Sequence, residues 1–147
     1  MKIVLASDHG AIELRNALRD FILSTTDLTV SDLGTCSEDS VDYPDIADLV
    51  AKEILSGKAA LGILCCGTGI GISIRANRYK GVRAALVYSE ETAAMAKAHN
   101  NANVLCLGGR TTSIEEAQAF VKLWLDTEFE GGRHQRRVQK LDSDCLC

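Results

Sequence analysis

The sequence has no apolar run that approaches the ~18 residues of a membrane span. Its first residues, Met-Lys-Ile-Val-Leu-Ala, lack the length and cleavage site of a secretory signal peptide. It also lacks internal repeats, low-complexity tracts and linkers. Hydrophobic residues make up 46% of the 147 positions and charged residues 24%, which is ordinary for a soluble globular protein. We therefore expect one cytoplasmic domain, residues 1–147, with no membrane contact.

The six cysteines lack the partners that a disulfide framework or a zinc site requires. Cys65 and Cys106 lie in apolar, strand-like runs, and Cys145-x-Cys147 has no second Cys-x-x-Cys or His-x-His pair. We expect reduced thiols and no bound metal. The net charge of −4 argues against a general affinity for nucleic acid.

Short apolar runs alternate with helical patterns along the chain. This alternation predicts an α/β fold: a doubly wound, Rossmann- or flavodoxin-like parallel sheet of five strands with helices on both faces. We expect the strand order 2-1-3-4-5 and an extra C-terminal helix in the basic segment 131–140. The predicted strands are Lys2–Ala6, Leu28–Leu33, Leu61–Cys66, Arg83–Tyr88 and Asn103–Leu107.

The third predicted strand ends in the glycine turn Cys66-Gly-Thr-Gly-Ile-Gly71, and a helix is expected to begin near Ile70 or Gly71. Glycines let the backbone approach a ligand, and the first N–H groups of a helix have no internal partner. An anion or a developing oxyanion would be stabilised there. Cys66, at the entrance to the turn, is a candidate nucleophile or base.

Spacing argues against three familiar uses of such a turn. Its glycines read G-x-G-x-G rather than the dinucleotide pattern G-x-G-x-x-G, and no Gly-Lys-Ser/Thr follows as in a phosphate-binding NTPase loop. A cysteine phosphatase would need an arginine about six residues after its cysteine, where this chain has Gly71 or Ile72. Nucleotide binding and phosphatase chemistry are therefore disfavoured.

Asp8 and His9 follow the first predicted strand. In the expected order the crevice of the sheet lies between the ends of strands one and three, where Cys66 and Gly67 also emerge. Two interpretations are open: Asp8 caps the next helix and His9 is a solvated loop residue, or both face a ligand. Thr68 likewise either stabilises the turn or binds a substrate oxygen. Because the Asp-His pair is expected opposite the glycine turn, we favour the interpretation in which Asp8 and His9 face a ligand.

His99 and Asn100 precede strand five, which the expected order places at the edge of the sheet away from the crevice. Within one chain they should not reach Cys66. They are either a polar helix ending or part of a neighbouring subunit's site. The second interpretation predicts an oligomer with shared active sites.

The C-terminal segment carries a local basic cluster in an acidic protein. Arg133 and Arg137 lie on one helical face, and with Arg110 they would suit a phosphate, whose oxygens accept paired guanidinium hydrogen bonds. Such clusters are most often solvated faces. Nucleic acid is a weaker candidate, because aromatic residues do not interleave the patch.

The sequence resembles the ribose-5-phosphate isomerase B and galactose-6-phosphate isomerase family over nearly its whole length. Cys66-Gly-Thr-Gly-Ile-Gly71 and Gly131-Gly-Arg-His134 are the most specific segments, and a cysteine at position 66 is similar to the ribose-phosphate branch. The matching segments are Ser7–His9, Asp42–Pro44, residues 66–71, His99-Asn100, Asn103–Leu105 and Glu130–His134.

The resemblance implies metal-free, cofactor-free interconversion of D-ribose 5-phosphate and D-ribulose 5-phosphate in the pentose phosphate pathway. By this likeness, Cys66 moves a proton between C2 and C1 through an enediolate and Thr68 assists it. His99 would help open the furanose ring, with Asp8 and Tyr43 near the same oxygen. The implied substrate contacts are the turn residues Gly67, Gly69, Ile70 and Gly71 for the enediolate oxygens, Asn100 for a hydroxyl, and His9, Arg110, Arg133 and Arg137 for the phosphate.

The implied assembly is a homo-oligomer, a dimer or a tetramer. Two other functions stay open: a hexose-6-phosphate isomerase, such as one acting on allose 6-phosphate, and a non-catalytic module that binds a small ligand or nucleotide. Three positions depart from the family pattern: Arg75, where a small residue is usual, Cys65, usually aliphatic, and Asn101, often aspartate.

Overall fold

Strands and helices alternate along the chain in the computed structural model, which describes residues 1–37 and 39–143. The Cys145-x-Cys147 pair lies outside the described residues. The strands are β1 (Lys2–Ser7), β2 (Thr29–Asp32), β3 (Leu61–Cys66), β4 (Ala84–Leu86) and β5 (Val104–Gly108). The helices are a 3-10 turn (His9–Ala11), α1 (Ile12–Thr25), α2 (Tyr43–Leu55), α3 (Ile70–Ala76), α4 (Glu90–Ala98), α5 (Ile114–Asp126) and α6 (Arg133–Leu141).

The five strands form one parallel sheet in the order β2-β1-β3-β5-β4. The predicted α/β fold class is confirmed, but the predicted order 2-1-3-4-5 is wrong at its last two positions. Every residue of β5 is buried, whereas β4 has three partly exposed residues. A fully buried strand suits the interior of a sheet and a short one its edge, so β5 pairs with β3 and β4 lies outside it.

Helices cover both faces of the sheet. Successive strand residues point to opposite faces, which divides the core into two layers. Leu5 and Cys65 face the layer that contains buried residues of α1, α4 and α5. Ala6 and Cys66 face the layer that contains buried residues of α2 and α3. The two neighbouring cysteines therefore lie on different sides of the sheet.

The predicted C-terminal helix is present as α6, which buries His134 and Val138. Just before it, the amide of Glu130 donates to the carbonyl of Ala98 at the end of α4 (3.0 Å). α6 therefore lies near the amino ends of the last strands. Within the described residues, no helix combines the length and apolarity needed to cross a bilayer.

Candidate active site

The turn after β3 directs a backbone N–H at the sulfur of Cys66. The amide of Gly69 donates to Sγ at 3.1 Å, and the Cys66 residue is 5% exposed. Gly69 has φ +76°, and a β-carbon there would lie 2.7 Å from Cδ1 of Leu86. Glycine is therefore required at this position both by the left-handed backbone and by close packing. Together these contacts hold the turn beneath the thiol.

The neighbouring thiols have a different environment. Cys65 is fully buried, and burial raises the pKa of its thiol. Burial also raises the pKa of the Cys106 thiol, which is fully buried in β5. The four cysteines among the described residues are free. Cys65 and Cys106 are thus core thiols, and Cys66 is the one that stands at the glycine turn.

Asp8 lies next to this turn at the end of β1. Its Oδ1 accepts a hydrogen bond from the amide of Gly10 (2.9 Å), so it does cap the following 3-10 turn. The carboxylate is nevertheless part of the crevice. A β-carbon on Gly10 would lie 3.3 Å from Oδ1 of Asp8 and 3.7 Å from the amide nitrogen of Gly67. The absence of a side chain at Gly10 therefore leaves room for the Asp8 carboxylate beside the glycine turn. The Asp8 residue is only 7% exposed.

His9 connects the crevice to the loop before α2. Its Nδ1 accepts a hydrogen bond from the amide of Val41 at 3.3 Å. In the neutral imidazole the other nitrogen, Nε2, then carries the hydrogen. His9 is thus oriented by the loop and retains an N–H donor suited to an anionic group.

Tyr43 and Thr68 border the turn on its exposed side. The Tyr43 ring lies over Gly71, where a β-carbon would be 2.6 Å from Cζ and 2.8 Å from the phenol oxygen. Thr68 is exposed, and its Oγ1 accepts a hydrogen bond from the amide of Ile70 (3.4 Å). Ile70 itself is 52% exposed. Thr68 therefore stabilises the turn while its hydroxyl stays accessible.

Arg110 reaches the turn because β5 neighbours β3. Its backbone amide donates to the carbonyl of Gly67 (3.0 Å), and the amide of Gly109 donates to the carbonyl of Cys66 (2.8 Å). A β-carbon on Gly67 would lie 3.2 Å from the Arg110 guanidinium. The corrected strand order thus places a cation directly beside the turn.

The other predicted site residues form a second group at the opposite end of the sheet. His99 and Asn100 follow α4 and precede β5, whereas Arg110 comes after it. The five residues of β5 span about 17 Å. A single chain therefore does not bring His99 to Cys66, which agrees with the prediction. The reason differs, because the two residues are separated along the length of β5 rather than across the width of the sheet. Arg133 and Arg137 belong to this second group, on the exposed side of α6.

His99 also belongs to a cluster whose other two members, Glu130 and His134, were not among the predicted site residues. Its ring stacks on that of His134, with centroids 4.1 Å apart and planes 6° apart. Oε2 of Glu130 lies 3.6 Å from Nε2 of His99 and 3.5 Å from Nε2 of His134. The sequence signal for this cluster was the spacing of Glu130 and His134, which are four positions apart around the Gly-Gly turn. It does not identify His99 as the third member.

This cluster also has the residue types of a metal site. Among the described residues it is the one group of three such side chains whose ligand atoms lie within 4.8 Å of one another. A metal ion binds in the plane of each imidazole, and two nearly parallel stacked rings do not direct their lone pairs at one point. Nε of Arg133 also donates to Nε2 of His134 (3.4 Å). The geometry fits a stacked histidine pair better than a metal centre.

A family model described as Ribose/Galactose Isomerase matches residues 3–141 of the chain. The chain belongs to this family. The resemblance drawn from the glycine turn and the Gly-Gly-Arg-His segment is therefore confirmed.

Named relatives extend this result. The crystal structure of a ribose 5-phosphate isomerase from Thermotoga maritima is 51% identical, with a TM-score of 0.93 over 96% of this chain and 97% of that one. The ribose-5-phosphate isomerase B of Mycoplasma genitalium, solved with bound ribulose-5-phosphate, is 47% identical, with a TM-score of 0.90 over 96% and 93%. The ribose-5-phosphate isomerase B of Escherichia coli is 39% identical over 95% of this chain and 93% of its own.

Proposed function

We propose that this protein is an aldose–ketose isomerase that interconverts D-ribose 5-phosphate and D-ribulose 5-phosphate. The observation that carries the proposal is the Cys66 thiol, placed at a glycine turn with a backbone N–H on its sulfur, in a member of this isomerase family. The bound ribulose-5-phosphate of the M. genitalium relative supports the choice of substrate.

The reaction is a proton transfer between neighbouring carbons. Cys66 takes the proton from C2 of the open-chain aldose, the C1 carbonyl becomes an enediolate oxygen, and return of a proton to C1 gives the ketose. No electron acceptor is needed, because one carbon is oxidised as the other is reduced. A proton on carbon beside a carbonyl is weakly acidic, so a positioned base is required. The small exposure of Cys66 keeps bulk water away from this step.

The glycine turn supplies the electrostatic part of catalysis. The enediolate carries negative charge on oxygen, and fixed N–H donors stabilise such charge without reorganising. We assign this role to the amides of residues 67–71. Thr68, whose hydroxyl is accessible, assists proton movement between the two oxygens.

Opening of the furanose ring needs a proton at the ring oxygen and removal of one from the C1 hydroxyl. We assign the ring-opening step to His99, with Asp8 and Tyr43 near the same oxygen. Asn100 binds a sugar hydroxyl. His9 and Arg110 hold the phosphate from the Cys66 side, and Arg133 and Arg137 hold it from α6, since paired guanidinium donors match phosphate oxygens.

The two groups of site residues lie at opposite ends of β5, so a complete site needs a second copy of the chain. The surface beside the turn is suited to such a contact, because it exposes apolar side chains that a lone subunit would leave in water. The homo-oligomer, a dimer or a tetramer, would share its active sites between subunits. These exposed side chains are Tyr43 (41%), Leu49 (41%), Ile70 (52%) and Ile74 (55%).

A turnover assay with ribose 5-phosphate and a chelator tests the proposal, with allose 6-phosphate run in parallel. We expect turnover of the pentose phosphate with chelator present; faster turnover of the hexose phosphate would favour the hexose branch. The Cys66→Ala variant should still bind ribose 5-phosphate but not convert it. A non-catalytic binding module would show no turnover in either protein. This activity would place the protein in the pentose phosphate pathway, in the cytoplasm.

A further inference from the structure

The environment of His99 is built by two residues that have no part in the reaction as proposed above. His134 is 5% exposed and presents the flat face on which the His99 ring stacks. Glu130 places one carboxylate oxygen near Nε2 of both rings. The chain just before α6 is fixed in turn by the hydrogen bond from Glu130 to the Ala98 carbonyl. His99, at the end of α4, thus packs against residues that are held in place by their own contacts.

The two imidazoles are not equivalent. Nε2 of His134 accepts a hydrogen bond from Nε of Arg133, which requires a lone pair on that nitrogen. Burial lowers the pKa of His134, and the nearby His99, Arg133 and Arg137 act in the same direction, against Glu130. Two protonated rings stacked at 4.1 Å would also repel each other. The Arg133 hydrogen bond and the burial of His134 therefore both favour the neutral form of the His134 ring.

We propose that Glu130 and His134 are positioning residues for His99, holding its ring in one orientation. The stack fixes the plane of the ring. The Glu130 carboxylate, 3.6 Å from Nε2 of His99, fixes the direction of that nitrogen. The Arg133 hydrogen bond favours the neutral form of His134, so the two stacked rings do not repel each other as two cations would.

This inference rests on the proposed role of His99 in ring opening. A protonated His99 would deliver its proton to the ring oxygen while a base removes the C1 hydroxyl proton, so the C1–O bond to the ring breaks and the aldehyde forms. Arg133 links the same cluster to the phosphate group. Its hydrogen bond to His134 uses Nε, which leaves the terminal amino groups of the guanidinium for the phosphate oxygens.

Imidazole NMR at one fixed pH tests the positioning directly and needs no substrate. The chain has three histidines, so the spectrum holds few signals and His9 serves as an internal control for folding. We expect the stacked His134 ring to shift the ring-proton signals of His99 upfield in the unaltered protein. In His134→Ala that upfield shift should be lost, with the His9 signals unchanged. Unchanged His99 ring signals in this variant would overturn the proposal.

Turnover of ribose 5-phosphate provides the second readout. Glu130→Gln and His134→Ala should each lower kcat about tenfold, and His134→Phe, which keeps a flat ring for stacking, should recover most of that loss. Arg136→Ala, on the exposed side of α6, is the matched control and should behave like the unaltered protein. No recovery in His134→Phe would overturn the stacking role. Absence of turnover in the unaltered protein would instead refute the proposed function, while the imidazole signals would still decide the positioning.

Discussion

The phenol ring of Tyr43 occupies the space that a side chain at Gly71 would fill, with Cζ 2.6 Å from the position of the missing β-carbon. Gly71 lies inside α3, where glycine is less favourable than alanine by roughly 0.5–1 kcal/mol. Helix propensity therefore does not explain the glycine. The contact with Tyr43 does, because it brings an aromatic hydroxyl over the first turn of the helix.

Replacing Gly71 with alanine should separate activity from stability. The added methyl group displaces the Tyr43 ring, so we expect kcat/KM for ribose 5-phosphate to fall roughly 10- to 100-fold. Denaturant unfolding should show little loss of stability, because alanine favours the helix. Tyr43→Phe keeps the ring in place and serves as the control for the hydroxyl. Full activity in Gly71→Ala would show that the position of Tyr43 has no role.

The two neighbouring cysteines should respond oppositely to substitution. Cys66→Ala removes the proposed base and should lower kcat by roughly 10²- to 10⁴-fold, a loss much larger than any accompanying change in stability explains. Cys65→Ala, in the buried layer on the other face, should cost about 1 kcal/mol of unfolding free energy and leave turnover intact. Kinetics and urea unfolding of both variants check this. Equal loss of activity in the two variants would contradict the assignment.

The sequence allowed prediction of the glycine turn and of the carboxyl end of β1 beside it, because apolar runs mark strands and glycines mark their ends. It did not predict that β5 neighbours β3. Alternating strands and helices are compatible with several strand orders. Which order forms depends on which apolar strand is buried along its whole length. Arg110 contacts the turn because of that strand order. The sequence therefore indicated that Arg110 suits a phosphate but did not indicate its position beside the turn.

Stability should depend on pH through His134. Its pKa is lowered in the folded protein, so the unfolded chain binds a proton more readily. The free energy of unfolding should therefore fall as pH drops below about 6.5, the ordinary histidine value, and the fall should end below the folded pKa. Urea unfolding between pH 5 and 8 measures this. In His134→Phe the curve should be flatter over the same range, and an equally steep curve would exclude His134 as its source.

Mixing two inactive variants tests the sharing of sites between subunits. Cys66→Ala and His99→Ala each lack one half of the site, and a mixed dimer contains one intact pair. With complete exchange, an equal mixture should recover about a quarter of the original activity. Exchange is confirmed separately with a tagged subunit. If subunits exchange and activity does not return, Cys66 and His99 do not act together across an interface.

The cluster of His99, Glu130 and His134 shows a second limit of sequence reasoning. Glu130 and His134 are close in the sequence, four positions apart, but His99 lies some thirty positions earlier in the chain. Their contact depends on how the segment before α6 packs against the end of α4. The burial of His134 likewise results from tertiary packing, because its neighbours in sequence are exposed arginines and polar residues.

The fate of deuterium at C2 of ribose 5-phosphate tests the central claim most directly. With [2-²H]ribose 5-phosphate followed by NMR, the unaltered protein should remove the label from C2, and the label should appear at C1 of ribulose 5-phosphate or in water. In Cys66→Ala, with the sugar phosphate bound, it should stay at C2. Loss of the label from C2 at an undiminished rate in Cys66→Ala would show that another group is the base.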